Sequence, residues 1–155
     1  MNNMKKILFF AFVLVAGALA FTSCDKKDGN NPELTGTVYH YRGASSFMNS
    51  EYSCEHDVYI ALDEQTNKAT MKWEGIKVSE NAEPATFYLY DGSFEKTEEG
   101  FIFHFDATPQ LPNGKPFDQW ESVDVSGGTY ETHLSFDYHI NGVTGAIFDG
   151  ELVNE

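Results

Sequence analysis

Between residues 52 and 62 the side chains alternate without a break. Tyr52, Cys54, His56, Val58, Ile60 and Leu62 fall on one face, and Ser53, Glu55, Asp57, Tyr59 and Ala61 on the other. Successive side chains of a strand point to opposite faces, so this period of two predicts a half-buried antiparallel strand and excludes a helix. The pattern recurs from residue 34 to the end of the chain, and no stretch in that span carries a convincing helical period.

A first strand is expected over residues 34–41, closed by Arg42-Gly-Ala-Ser-Ser. Residues 68–78 form another, in which Ala69, Met71 and Trp73 alternate until Gly75 breaks the phase and predicts a bulge. Residues 85–90 follow, then a turn at Asp91-Gly92, then residues 101–105 with three phenylalanines on one face. Residues 108–116 hold three of the five prolines and must be a loop. Residues 120–125 lead through Gly127-Gly128 into the longest expected strand, 129–140, with Tyr130, Thr132, Leu134, Phe136, Tyr138 and Ile140 on one face. Asn141-Gly142 is a strong hairpin signal and delivers residues 143–153. The fold class is therefore all-β: about eight antiparallel strands in a single up-and-down β-barrel, whose closure removes sheet edges. A β-sandwich shares that strand count, but it needs long crossovers that only the proline loop could supply.

The N-terminus carries an address. Lys5 and Lys6 precede an apolar run over residues 7–21, and Thr22 and Ser23 come just before Cys24. A positive region, an apolar region and a small-residue cleavage site make an export signal. With cysteine at the cleavage point it looks like a bacterial lipoprotein signal, which would make Cys24 the lipidated first residue of the mature chain. The chain thus divides into a signal peptide (1–23), a lipidated cysteine with a polar tether (24–33) and a β domain (34–155). Multiple acyl chains would hold such a protein firmly on a membrane of the cell envelope, the outer membrane being expected.

Charge and cysteine content exclude several functions. Without the signal, eight basic residues face 24 acidic ones, a formal −16. Arg42 is the only arginine, so nucleic acid, which needs a basic footprint, is excluded as a partner. Anionic lipid is equally excluded as a docking surface, leaving the acyl anchor as the membrane contact. With Cys24 acylated, Cys54 has no partner for a disulfide and is expected to be buried and inert.

No catalytic motif is present: there is no G-x-S-x-G, H-E-x-x-H, P-loop or Cys-x-x-Cys, so a non-enzyme without a cofactor is expected. His133, Asp137 and His139 share one strand face. Residues four apart on a strand are about 13 Å apart, too far for one metal ion, so no metal site is assigned.

The pieces Thr70-Met-Lys-Trp-Glu-Gly-Ile-Lys-Val78, Phe101-Ile-Phe-His-Phe105 with Leu111-Pro-Asn-Gly114 after it, and the terminal hairpin ending in Phe148-Asp-Gly150 resemble the calycin-like (lipocalin-like) lipoproteins of Bacteroidetes. That resemblance implies a lipid-tethered antiparallel barrel whose relatives often hold a small apolar ligand. It transfers no contact residue, because the Gly-x-Trp of lipocalins is replaced here by Gly36-Thr37-Val38.

Two functions follow as expectations. In the first, a small apolar ligand occupies a pocket lined by Trp73, Phe87, Phe103, Leu134, Phe136 and Tyr138 on the apolar faces of four strands. In the second, the core is solid and Tyr39, Tyr41, Tyr59, Tyr88 and Tyr90 form an exterior band that meets a glycan or an envelope protein.

Overall fold

A computed structural model describes residues 34–154. The export signal, Cys24 and the tether lie outside the described residues. Eight strands close into an antiparallel barrel in chain order, β1 (Thr37–Phe47), β2 (Ser53–Asp63), β3 (Lys68–Ile76), β4 (Ala85–Lys96), β5 (Phe101–Ala107), β6 (Val123–Tyr130), β7 (His133–Ile140) and β8 (Thr144–Leu152). Every strand pairs with its neighbour in sequence, and β1 pairs with β8.

Pairing register decides which side chains meet. Directly opposed residues share a face. Tyr41 opposes Val58 and Val58 opposes Trp73, so all three point inward, whereas His40, Tyr59 and Lys72 form the neighbouring outward row. The closing seam depends on Gly43, which opposes Gly150: a Cβ on Gly43 would lie 2.0 Å from the Asp149 carbonyl oxygen. Only a residue without a side chain lets β1 and β8 approach this closely.

The connections sort into two rims. Tight turns at 64–67, 97–100 and 131–132 gather at one rim, together with residues 34–36 and the end of β8. Longer connections at 48–52, 77–84 and 108–122, with the 141–143 hairpin, gather at the other. In that hairpin Asn141 and Gly142 are both left-handed (φ 53° and 67°), and the Val143 N–H donates to the Ile140 carbonyl.

Several expected boundaries move. The stretch 42–46, expected to close the first strand, continues it, because Gly43 to Ser46 pair on both sides. Asp91-Gly92 is a bulge inside β4: Asp91 takes φ 60° and the register against β3 shifts by one residue. A Cβ on Gly92 would sit 2.3 Å from the Phe105 ring, so this bulge also makes room for a core side chain. Gly127 and Gly128 lie within β6, and the turn falls later, at Glu131 (φ 53°), so the expected 129–140 strand is divided in two. Tyr130 accordingly ends on β6 as an exposed residue. Trp120 belongs to the loop before β6 and plugs the barrel.

Only four residue pairs join β4 to β5, because the first half of β4 splays away. The proline loop fills that place. Gln110 exchanges two backbone hydrogen bonds with Tyr88, at 2.8 and 2.9 Å.

Candidate functional site

The six expected lumen residues all face inward. Trp73, Phe87, Leu134 and Tyr138 are wholly buried, and Phe103 and Phe136 nearly so. Trp73 sits at the centre, its ring centroid 4.9 Å from Phe87, 5.7 Å from Phe136 and 4.6 Å from Tyr138. Phe136 in turn stacks on Phe148 at 4.9 Å and meets Phe103 at 6.0 Å. Rings at these separations are in direct contact. The middle of the barrel is therefore a packed aromatic core, with the six side chains filling it against one another. An eight-stranded barrel is just wide enough to be filled in this way.

One polar pair lies within that core. Ser45 Oγ and His56 Nε2 are 2.8 Å apart, and both side chains are buried. Burial holds the His56 imidazole down to about 4, although the Asp57 backbone and carboxylate work in the opposite direction. It is therefore neutral at pH 7. The Tyr138 hydroxyl, also buried, lies beside the Ser45 hydroxyl without a well-formed hydrogen bond, and burial pushes its ionisation far up. Cys54 lies nearby, buried as expected, and its sulfur accepts the Lys77 N–H at 3.3 Å.

One concave site of ligand size with a mainly apolar wall lies at the rim of long connections. Loops 77–84 and 108–122 enclose a half-open cleft of about 600 Å³. Ile76, Val78, Pro84, Leu111, Phe117 and Trp120 line its apolar wall, and Glu83 lies at its edge. The floor is rigid: Phe117 and Trp120 meet edge to face (5.2 Å, 82°), and Trp120 meets Phe87 of the core in the same way (4.9 Å, 77°). The sequence reading placed Trp120 on a strand and assigned neither it nor Phe117 to a site. The available signal was two large aromatics inside a loop otherwise composed of turn residues, which have no reason to be there unless they pack.

The five tyrosines do not form one band. Tyr41 is buried in the core, and Tyr39 packs against the core beside Phe101, with ring centroids 5.2 Å apart. Both point inward, since they oppose Val58 and Ile60. Tyr59, Tyr88 and Tyr90 point outward. Tyr59 stacks on His40 at 4.3 Å, and the Lys72 ammonium lies over the Tyr59 ring, 4.8 Å from its centroid. Tyr88 and Tyr90 lie parallel at 6.0 Å. Tyr90 borders a second, polar and open cleft of about 630 Å³ with Lys68, Thr70, Asp91 and Gln110. Its hydroxyl lacks a hydrogen-bond partner among the described residues, and burial, with Tyr88 adding, pushes it up to about 12.

His133 is engaged by Asp149 and Glu151 at 3.4 and 3.1 Å. Among the described residues no three His, Cys, Asp or Glu side chains converge where a metal ion could sit. No helix among them is long and apolar enough to cross a membrane. No protein-family model matches the chain, and no curated protein matches it.

Proposed function

We propose that this chain is a non-enzymatic, calycin-like lipoprotein of the cell envelope, anchored through Cys24, which binds a small apolar ligand at the mouth of its barrel. The observation that carries this reading is the cleft between loops 77–84 and 108–122. Its volume of about 600 Å³ lies within the usual range for small-molecule sites, and its wall is mainly apolar. The ligand sits at this rim, above the Trp120–Phe117 floor, while the residues expected to line a lumen supply the rigid support beneath it.

The geometry of the rims adds an orientation. Residue 34 leaves the barrel at the rim of tight turns, so a tether running from Cys24 holds the cleft on the side away from the membrane.

A neutral fluorescent probe, N-phenyl-1-naphthylamine, tests the reading. The chain has two tryptophans, and Trp73 is sealed in the core. Probe binding should therefore perturb Trp120 emission and disappear in Trp120→Ala, provided the variant keeps its fold by circular dichroism. Wild-type protein that neither enhances the probe nor changes its own emission overturns the proposal. A second reading, a surface module for glycans, would then rest on the polar cleft at Tyr90, where an unsatisfied hydroxyl stands beside the polar side chains of Lys68, Thr70, Asp91 and Gln110.

A further inference from the structure

We infer that the ligand of the loop-rim cleft is a cationic amphiphile, an amine or quaternary ammonium on a hydrocarbon body, and not a fatty acid or other apolar anion; this rests on the reading just given. Among the described residues that line the cleft, Glu83 carries the only formal charge. No lysine, arginine or histidine is among them to receive a carboxylate. The nearest ammonium in the sequence, that of Lys77, is turned into its own loop and donates to the Glu80 carbonyl at 3.0 Å. An anionic head at this rim would meet the like charge of Glu83 and no counter-charge, which disfavours it wherever its hydration is even partly lost.

A cation meets the opposite situation. Glu83 stands at the edge of the cleft, so a ligand can lay its hydrocarbon along Ile76, Leu111 and Pro112 and bring its head to the carboxylate. Phe117 and Trp120 stand at 82° to one another and add two aromatic π-systems to the same cleft. Aromatic faces attract ammonium groups and do nothing comparable for carboxylates. The whole chain is also strongly negative, formally −14, so its field concentrates cations at any mouth and repels anions.

The test compares three ligands with one chain length and different heads: octylammonium, 1-octanol and octanoate. Each competes for the purified protein with N-phenyl-1-naphthylamine, at low and at high salt. Octylammonium should bind tightest and octanoate weakest, with about a tenfold or greater spread between the two charged ligands at low salt. That spread should narrow at 0.5 M salt, because the charges sit at an exposed rim. Glu83→Gln should weaken octylammonium about two- to fivefold and leave octanol unchanged. Glu98→Gln removes the same formal charge from the opposite rim and should leave the order of all three intact, which separates the local carboxylate from the overall field. Glu83 is exposed, so neither variant should alter thermal unfolding. Octanoate binding as tightly as octylammonium, or Glu83→Gln behaving like Glu98→Gln, overturns the inference while the apolar cleft stands. Failure of the naphthylamine itself to bind overturns both.

Discussion

Ser45 on β1 and His56 on β2 are joined by a 2.8 Å hydrogen bond inside a core made otherwise of aromatic and aliphatic side chains. The two rings nearest His56 are Phe148 at 5.0 Å and Trp73 at 6.1 Å, and neither can stabilise an imidazolium buried this deeply enough to offset lost hydration. Among the described residues His56 is thus the one buried histidine, and burial keeps it neutral well below its ordinary range.

Acid should therefore loosen the barrel through His56. Its pKa in the fold is lowered from 6.5 to about 4, so the native state binds fewer protons than the unfolded chain. Stability is full above pH 6.5 and falls as the pH drops toward 4, by about 1.4 kcal/mol per pH unit and roughly 3 kcal/mol in all. Around His56 stand the Ser45 hydroxyl and the Phe148 and Trp73 rings, and only Asp57, through its backbone and its outward-facing carboxylate, favours the charged imidazole. Urea denaturation at pH 7.5 and 4.5 should show that His56→Gln, which retains a hydrogen-bonding group for Ser45, removes this part of the acid sensitivity. Equal pH dependence in the two proteins would be the contrary result.

Phe136 is the second target. It touches Trp73, Phe103, Tyr138 and Phe148, so truncation removes contacts on several sides at once. Phe136→Ala should cost about 3–5 kcal/mol in chemical denaturation. A loss below 1 kcal/mol would mean that the interior is looser than these ring distances state.

Closure of the barrel can be tested at its seam. Gly43→Ala places a methyl group against the Asp149 backbone, where no side-chain rotation relieves the clash. The expected cost is at least the 1–3 kcal/mol typical of overpacking, read as a fall in the unfolding midpoint. Gly145→Ala is the control, since the nearest atom to its new methyl is the Met48 sulfur at 2.7 Å, on a flexible and exposed side chain that can move away.

The anchor has its own experiment. Metabolic labelling with a fatty acid should mark the wild-type protein and leave Cys24→Ala unlabelled, as an uncleaved or soluble precursor. An unlabelled wild-type mature protein would remove the lipoprotein proposal.

How much of this was legible in the sequence depends on how local its cause is. The faces of β2 could be read from residues 52–62 because one side of that strand is buried and the other is not. Phe101, Phe103 and Phe105 were legible for the same reason, and the Asn141-Gly142 turn because both residues readily take the left-handed backbone that a tight hairpin needs. Asp91-Gly92 was not, because a left-handed residue beside glycine serves a bulge as well as a turn, and the choice was made by pairing with Ala69 and Met71 on β3. The turn at Glu131 gave no signal, since Glu rarely adopts φ 53° and nothing local announces it. Tyr39 and Tyr41 point inward because β1 is set in register by β2, a relation twenty residues away in the chain; Val38 and His40 take the outer face instead. The candidate site was the least legible part. It is made by two loops that meet only after the barrel has closed, and no periodicity describes a loop.

Residues 34–36 and the end of β8 share one rim, where the Val153 N–H donates to the His40 carbonyl and the Leu152 N–H to the Thr132 carbonyl. For anyone attaching this protein to a sensor chip, bead or fusion partner, the two ends are interchangeable handles. A capture tag added before residue 34 and one added after Asn154 both turn the same hemisphere, with loops 77–84 and 108–122, toward the solution. Two such immobilised preparations should therefore give the same binding isotherm.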